Sequence, residues 1–238
     1  MKKILGEDNF VFSFGDLHKT EKSEFIGILS KKNVEKYSDR QLEVYQQLVS
    51  TWNTSLPDKQ IDKMHYSKRF KWMNLYTFFQ VFFSECLDPK HYQEVATDLE
   101  VLTCALQLVN FPISFPGSAV WKAIRARKHI VGRFLEAVKV CRQKMKANIE
   151  MEESIMLQLI RGRFSIDEIN KVDEVSEEKI ATALFVFIFA SQDVLTSGLT
   201  WVISQLSKNQ KLQQEIFEIP THLKDAVLES MIKETIRT

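Results

Sequence analysis

The stretch Ile180-Ala181-Thr182-Ala183-Leu184-Phe185-Val186-Phe187-Ile188-Phe189-Ala190-Ser191-Gln192-Asp193-Val194-Leu195-Thr196-Ser197-Gly198-Leu199-Thr200-Trp201 decides how this chain is read. Its first half is apolar on every side, the pattern of a helix buried all round. At Ala190 the character changes to small and polar residues, including an acid, with more apolar residues after them. An acid within a buried helix is costly unless it is paired, hydrated or protonated. Small residues beside it let a large flat ligand approach the backbone. Two readings stand at this point. One is a core helix whose Asp193 caps a neighbouring loop; the other is a helix that presents Asp193 to a bound group.

Outward from this stretch the pattern stays helical. Residues 177–206 form the longest helical candidate. Across 118–146, Trp121, Ile124, Val131, Phe134, Leu135, Val138 and Cys141 recur at helical spacing. The same stretch is basic and reads as a solvated face in preference to a nucleic-acid patch. A basic face beside an apolar loop also suits an anionic membrane surface. That loop, residues 110–117, holds Pro112 and Pro116, which forbid a continuous helix. Residues 70–87 and 91–109 read as two helices divided by Asp88-Pro89, since proline suits a first helical turn. Residues 16–50 are helical, 51–63 a loop around Pro57, and 10–15 a short strand or lead-in loop. Residues 152–159 form a short helix, and the acidic stretch 164–179 reads as an exposed connector. A last helix runs from Thr221, its N-cap, to about 237.

Composition narrows the function classes. The 238 residues are 45% hydrophobic and 26% charged, which excludes disorder over the whole length. A formal net charge of +1 gives no global preference for nucleic acid. Seven glycines and five prolines are too few for the many turns of a β-sandwich or barrel. Cys86, Cys104 and Cys141 form no CxxC pair, so a reducing compartment is expected. The first residues turn acidic too soon for a signal peptide. No uninterrupted apolar run reaches the length that spans a bilayer. No histidine sits in a nucleophile motif, and no His/Cys cluster has zinc spacing.

A second signal lies at Lys233-Glu234-Thr235-Ile236-Arg237, where Glu234 and Arg237 share a helix face. It follows the long helix by about thirty residues, across a polar connector and Pro220. Together the two signals resemble the cytochrome P-450 family of haem-thiolate monooxygenases. There a long central helix crosses the distal haem face with a small-small-x-acid-alcohol motif, and a later helix carries ExxR. Ala190-Ser191-Gln192-Asp193 matches the first motif, and Glu234 and Arg237 match the second. Phe189-Ala190-Ser191-Gln192-Asp193 followed by Thr196-Ser197 is most similar to the sterol C-22 desaturases of fungi and plants. Leu5-Gly6-Glu7-Asp8-Asn9, Phe14-Gly15-Asp16-Leu17-His18, Lys31-Lys32-Asn33-Val34-Glu35-Lys36-Tyr37 and the 110–117 loop resemble further parts of that subfamily.

The resemblance implies a mainly α fold, the central helical part of the cytochrome P-450 fold with its distal haem helix and ExxR helix. It implies haem b, with His18 and Lys22 toward the propionates and Ala190 and Ser191 on the distal face. Asp193 is the candidate for proton delivery, with Gln192 and Thr196 as further polar candidates of the stretch. Phe111, Phe115, Phe185 and Phe189 are candidates to contact a sterol or other lipid. Glu234 and Arg237 take a structural role. The implied partners are an NADPH-dependent reductase and the cytoplasmic face of the endoplasmic reticulum membrane, and not nucleic acid.

Two departures stand out. The alcohol position is Val194, and Thr196, two residues on, faces elsewhere. The three cysteines lie outside any Gly/Arg loop of the iron-ligating kind, so no iron ligand is assigned in this chain. The expectation is therefore one partial domain over 1–238, a piece without the family's N-terminal anchor and haem-cysteine loop, and inactive by itself. The alternative is a non-enzymatic helical binding or adaptor protein, with the aromatic run Phe70, Trp72, Tyr76, Phe78, Phe79, Phe82 and Phe83 as its contact surface.

Overall fold

The computed structural model describes residues 2–6, 12, 15, 19, 35–54, 63–106, 114–163, 174–219, 229 and 233. Among them the regular structure is helical and no strand occurs, as the low glycine and proline content predicts. The helices are α1 (Lys2–Leu5), α2 (Ser38–Thr54), α3 (Lys63–Phe82), α4 (Tyr92–Leu106), α5 (Ala119–Lys146), α6 (Ile155–Arg163), α7 (Glu174–Lys208) and α8 (Gln210–Glu218). The chain divides into two compact units, residues 1–55 with 75–189 and residues 56–74 with 190–238.

The first unit is built around the pairing of α4 and α5. Asp88 starts the first of these by accepting from the Lys90 amide at 3.0 Å, with Pro89 in the opening turn. Ser118 caps α5 by accepting from the Trp121 amide at 3.2 Å. On α4 the buried residues are Tyr92, Val95, Ala96, Leu99, Leu102 and Ala105, one face of a helix. On α5, Ala123, Ala126 and Ala137 interleave with buried Ile130, Phe134 and Val138, so small residues let the backbones approach. Phe83 meets Phe134 at 4.5 Å, and Phe79 stacks on Tyr92 at 4.4 Å. Each such fully buried side chain contributes about 1.5–3 kcal/mol relative to exposure. Phe70, Phe78, Phe79 and Phe83 are buried, and Trp72, Tyr76 and Phe82 half-buried. These rings are core material, which removes the open aromatic surface that the adaptor reading needs.

Polar groups close the turn between α3 and α4. Arg40 on α2 pairs with Glu152 at 2.8 Å and donates to Gln80 Oε1 at 3.1 Å. Gln80 in turn donates to the Tyr92 hydroxyl, and Ser84 to Glu152. At the other end of the unit, Gly6 follows α1 with φ of +96°, and its amide bonds the Lys2 carbonyl at 2.8 Å. Arg127 on α5 donates to the Leu5 carbonyl at 2.9 Å. A methyl group on Gly6 would overlap the Arg127 guanidinium. Gly6→Ala therefore lowers stability by about 1–2 kcal/mol through the left-handed backbone alone, with a further loss from Arg127, measured as a lower urea midpoint.

Several sequence expectations shift here. The connector at 164–179 is not exposed throughout: α7 begins at Glu174, and Glu177 is buried against Arg142 of α5. The solvated basic face is likewise broken at Arg142. Charge pattern alone does not separate a hydrated acid from one paired inside. The helix expected at 152–159 runs from Ile155 to Arg163. The strand or lead-in loop expected at 10–15, and the last helix from 221, fall almost wholly outside the described residues.

In the second unit, Phe70 and Met73 of α3 and Gln192 and Thr196 of α7 are buried. The polar connector after α7 contains a further helix, α8, whose N-cap Asn209 accepts from the Leu212 amide at 3.1 Å. Leu212 and Ile216, four residues apart on it, are partly buried, while Phe217 is exposed. The segment Glu177–Lys208 is long and apolar enough on average to cross a membrane, despite Asp193. Half of its most apolar window is buried within the protein, as in a core helix.

Candidate active site

The candidate residues on α7 fall on two faces. Gln192 and Thr196, four residues apart, point inward and are buried. Ala190 and Val194, also four apart, point outward, and Val194 is 72% exposed. Asp193 lies on the outward side with its side chain 54% exposed, and Ser191 is half-buried. Leu195, Ser197, Gly198 and Trp201 continue the exposed surface. This is an uncovered strip of small and apolar residues beside one carboxylate.

Two neighbours from α3 reach these residues. Lys71 Nζ lies 3.8 Å from Asp193 Oδ1. Asn74 donates its amide to Thr196 Oγ1 at 3.3 Å, and Thr200 bonds back to the Thr196 carbonyl at 2.6 Å. Thr196 is thus turned inward and engaged, as its place two residues beyond the alcohol position suggests. Gln192 Oε1 is buried with no hydrogen-bond donor among the described residues. The sequence singled out Asp193 and Thr196 and passed over Lys71 and Asn74. Both sit in a stretch whose aromatics dominate the pattern, and only the fold brings them to α7.

The first unit carries the aromatic candidates. Phe185 is fully buried, stacks on half-buried Phe189 at 5.9 Å, and has the Arg127 guanidinium 5.9 Å from its ring. Phe185 is therefore placed to support Phe189 and has no open face of its own. Phe115 lies in the loop before α5 and is 58% exposed. Phe111, His18, Lys22, Glu234 and Arg237 lie outside the described residues.

A haem of the haem-thiolate kind needs a flat apolar approach on its distal side and a cysteine thiolate on the other. The strip from Ala190 to Trp201 meets the first need: apart from Asp193 its exposed side chains are small or apolar, and a Cβ added at Gly198 would meet nothing within 4 Å. The cysteines do not meet the second. Cys86 and Cys141 are buried in the first unit and hydrogen-bond each other, which, with burial, pushes the Cys141 thiol far above its usual range. Cys104 is exposed on α4. No group of three His, Cys, Asp or Glu side chains suited to a metal ion occurs among the described residues.

A C-22 sterol desaturase of Gibberella zeae is 22% identical over 98% of this chain and 47% of its own length. Cytochrome P450 710A4 of Arabidopsis thaliana is 28% identical over 91% of this chain and 43% of its own. The chain spans about half the length of the curated relatives it matches. Among solved structures, the retinoic acid-bound cyanobacterial CYP120A1 shares the fold with a TM-score of 0.74 at 15% identity, over 98% of this chain and 52% of that one. The family model for cytochrome P450 takes in residues 4–237. The chain belongs to the cytochrome P450 family, whose cofactor is a haem iron.

Proposed function

We propose that residues 1–238 form the central helical part of a haem-dependent oxidoreductase that desaturates a sterol side chain at C-22. The observation that carries this reading is the outward face of α7. It offers one carboxylate, Asp193, and at the next position Val194 in place of an alcohol. That combination resembles the sterol C-22 desaturases, and several relatives are named as such.

Bound haem supplies activation of O2, with electrons from an NADPH-dependent reductase. The chain's own residues bind, orient and move protons. Ala190 and Ser191 give the haem a close approach to the helix. Asp193 takes protons from water and passes them on along the uncovered face of α7, a role that Val194, which has no hydroxyl, cannot share. Thr196 takes no part in the relay, because it is buried on the inward side of α7, where its hydroxyl accepts from the Asn74 amide. Phe189, held by Phe185, and Phe115 offer apolar contact to the sterol, with Phe111 added by resemblance. His18 and Lys22 face the propionates, and Glu234 and Arg237 brace the later helix, on the same ground. The enzyme acts at the cytoplasmic face of the endoplasmic reticulum membrane.

The test is a titration of the complete haem-loaded protein, of which residues 1–238 are the proposed central part, with sterols saturated at C-22, followed at the Soret band. A saturable shift is expected with these sterols. Failure of every sterol to shift the band, with a shift given by fatty acids, would contradict the substrate class.

A further inference from the structure

In the second unit, α3 and α7 meet through two polar contacts of equal spacing. Lys71 and Asn74 are three residues apart on α3, and Asp193 and Thr196 three apart on α7. A spacing of three keeps both members of each pair on one helix face. Lys71 reaches Asp193 and Asn74 reaches Thr196, so the contacts make a two-point clamp.

The two points differ in kind. Asn74 and Thr196 are buried, so their hydrogen bond is not readily exchanged for water. It fixes the rotation of α7 about its own axis. The Lys71 side chain is only 20% exposed, while that of Asp193 is 54% exposed. An ion pair with one partner so wet adds little stability. Lys71 nonetheless places its ammonium against Oδ1, on the side of the carboxylate that faces α3. What this contact governs is direction rather than stability.

We infer that Lys71 is a positioning residue for Asp193, holding its carboxylate at a fixed angle on the uncovered face of α7. Asn74 completes the device by engaging the Thr196 hydroxyl away from that face. The inference rests on the reading that Asp193 moves protons. The step balances: an O–H bond forms on the carboxylate as one breaks in water, and it breaks again as the proton passes to the oxygen under reduction, whose electrons come from the reductase. A small misplacement of such a group costs rate far more than stability.

Infrared difference spectra of protein labelled with 13C-aspartate, wild type minus Asp193→Asn, isolate the Asp193 carboxylate band. In Lys71→Met that band moves and broadens, and Lys71→Arg returns it. In the haem-loaded protein, Lys71→Met lowers kcat by about 10- to 100-fold with the sterol KM within about twofold, and Lys71→Arg restores most of the rate. An unmoved band in Lys71→Met overturns the inference whatever the activity shows. A moved band with unchanged kcat overturns it as well. Full turnover by Asp193→Asn, with the Lys71 band shift intact, overturns the acid role itself and the inference with it.

Discussion

Replacing Arg142 by methionine, with Glu177 left in place, lowers the stability of the fold by about 3–5 kcal/mol. The two side chains are 3% and 7% exposed, and Arg142 Nη1 donates to Glu177 Oε1 at 2.5 Å. Removing the guanidinium strands a buried carboxylate that has neither water nor a counter-charge. The loss is therefore the desolvation of Glu177 rather than the worth of the pair. Replacing both at once, as Arg142→Met with Glu177→Leu, removes the stranded charge and recovers most of the loss, since well-packed apolar pairs often equal buried ion pairs. Urea unfolding checks this: the single variant shifts the midpoint strongly at unchanged slope, and the double variant lies close to wild type. A single variant within about 1 kcal/mol of wild type, the range of a surface pair, would mean that water reaches this pair.

Replacing Asp193 by asparagine lowers turnover by about 10²- to 10⁴-fold, the usual loss for a general acid–base group. Asparagine keeps the shape and loses the ability to cycle a proton. The cost in stability stays under about 1 kcal/mol, because the carboxylate is half in solvent and its contact with Lys71 is a surface-type ion pair. Rate and stability thus separate at this position, in contrast to Arg142. Steady-state kcat beside a thermal unfolding curve measures both.

Much of this was legible in the sequence, for identifiable reasons. Helices α4 and α5 begin where Asp88-Pro89 and Ser118 place them, because capping is local chemistry that one or two residues determine. The long α7 is visible from its unbroken apolar half. That Thr196 is buried while Asp193, three residues before it, is half in solvent does not follow from helical spacing, which puts the two on neighbouring sides of the helix. What escaped depends on distant partners. Glu177 reads as a solvated acid until Arg142, 35 residues away, is folded against it. Lys71 and Asn74 carry no motif, and Asn74 gains its role from Thr196, 122 residues on. Phe185 and Phe189 read alike in sequence, yet one is fully buried and the other partly open. Periodicity locates a face, and it does not say how much of that face a neighbour covers.

The proposed reaction is desaturation of a sterol side chain by a haem protein whose distal helix carries an acid without an adjoining alcohol. The most direct measurement is mass spectrometry of the product formed when the haem-loaded protein, with NADPH and a reductase, turns over a sterol saturated at C-22. The expected product is lighter by two hydrogens, with the new double bond at C-22. A product heavier by one oxygen, or conversion only of non-sterol lipids, would contradict the proposed reaction.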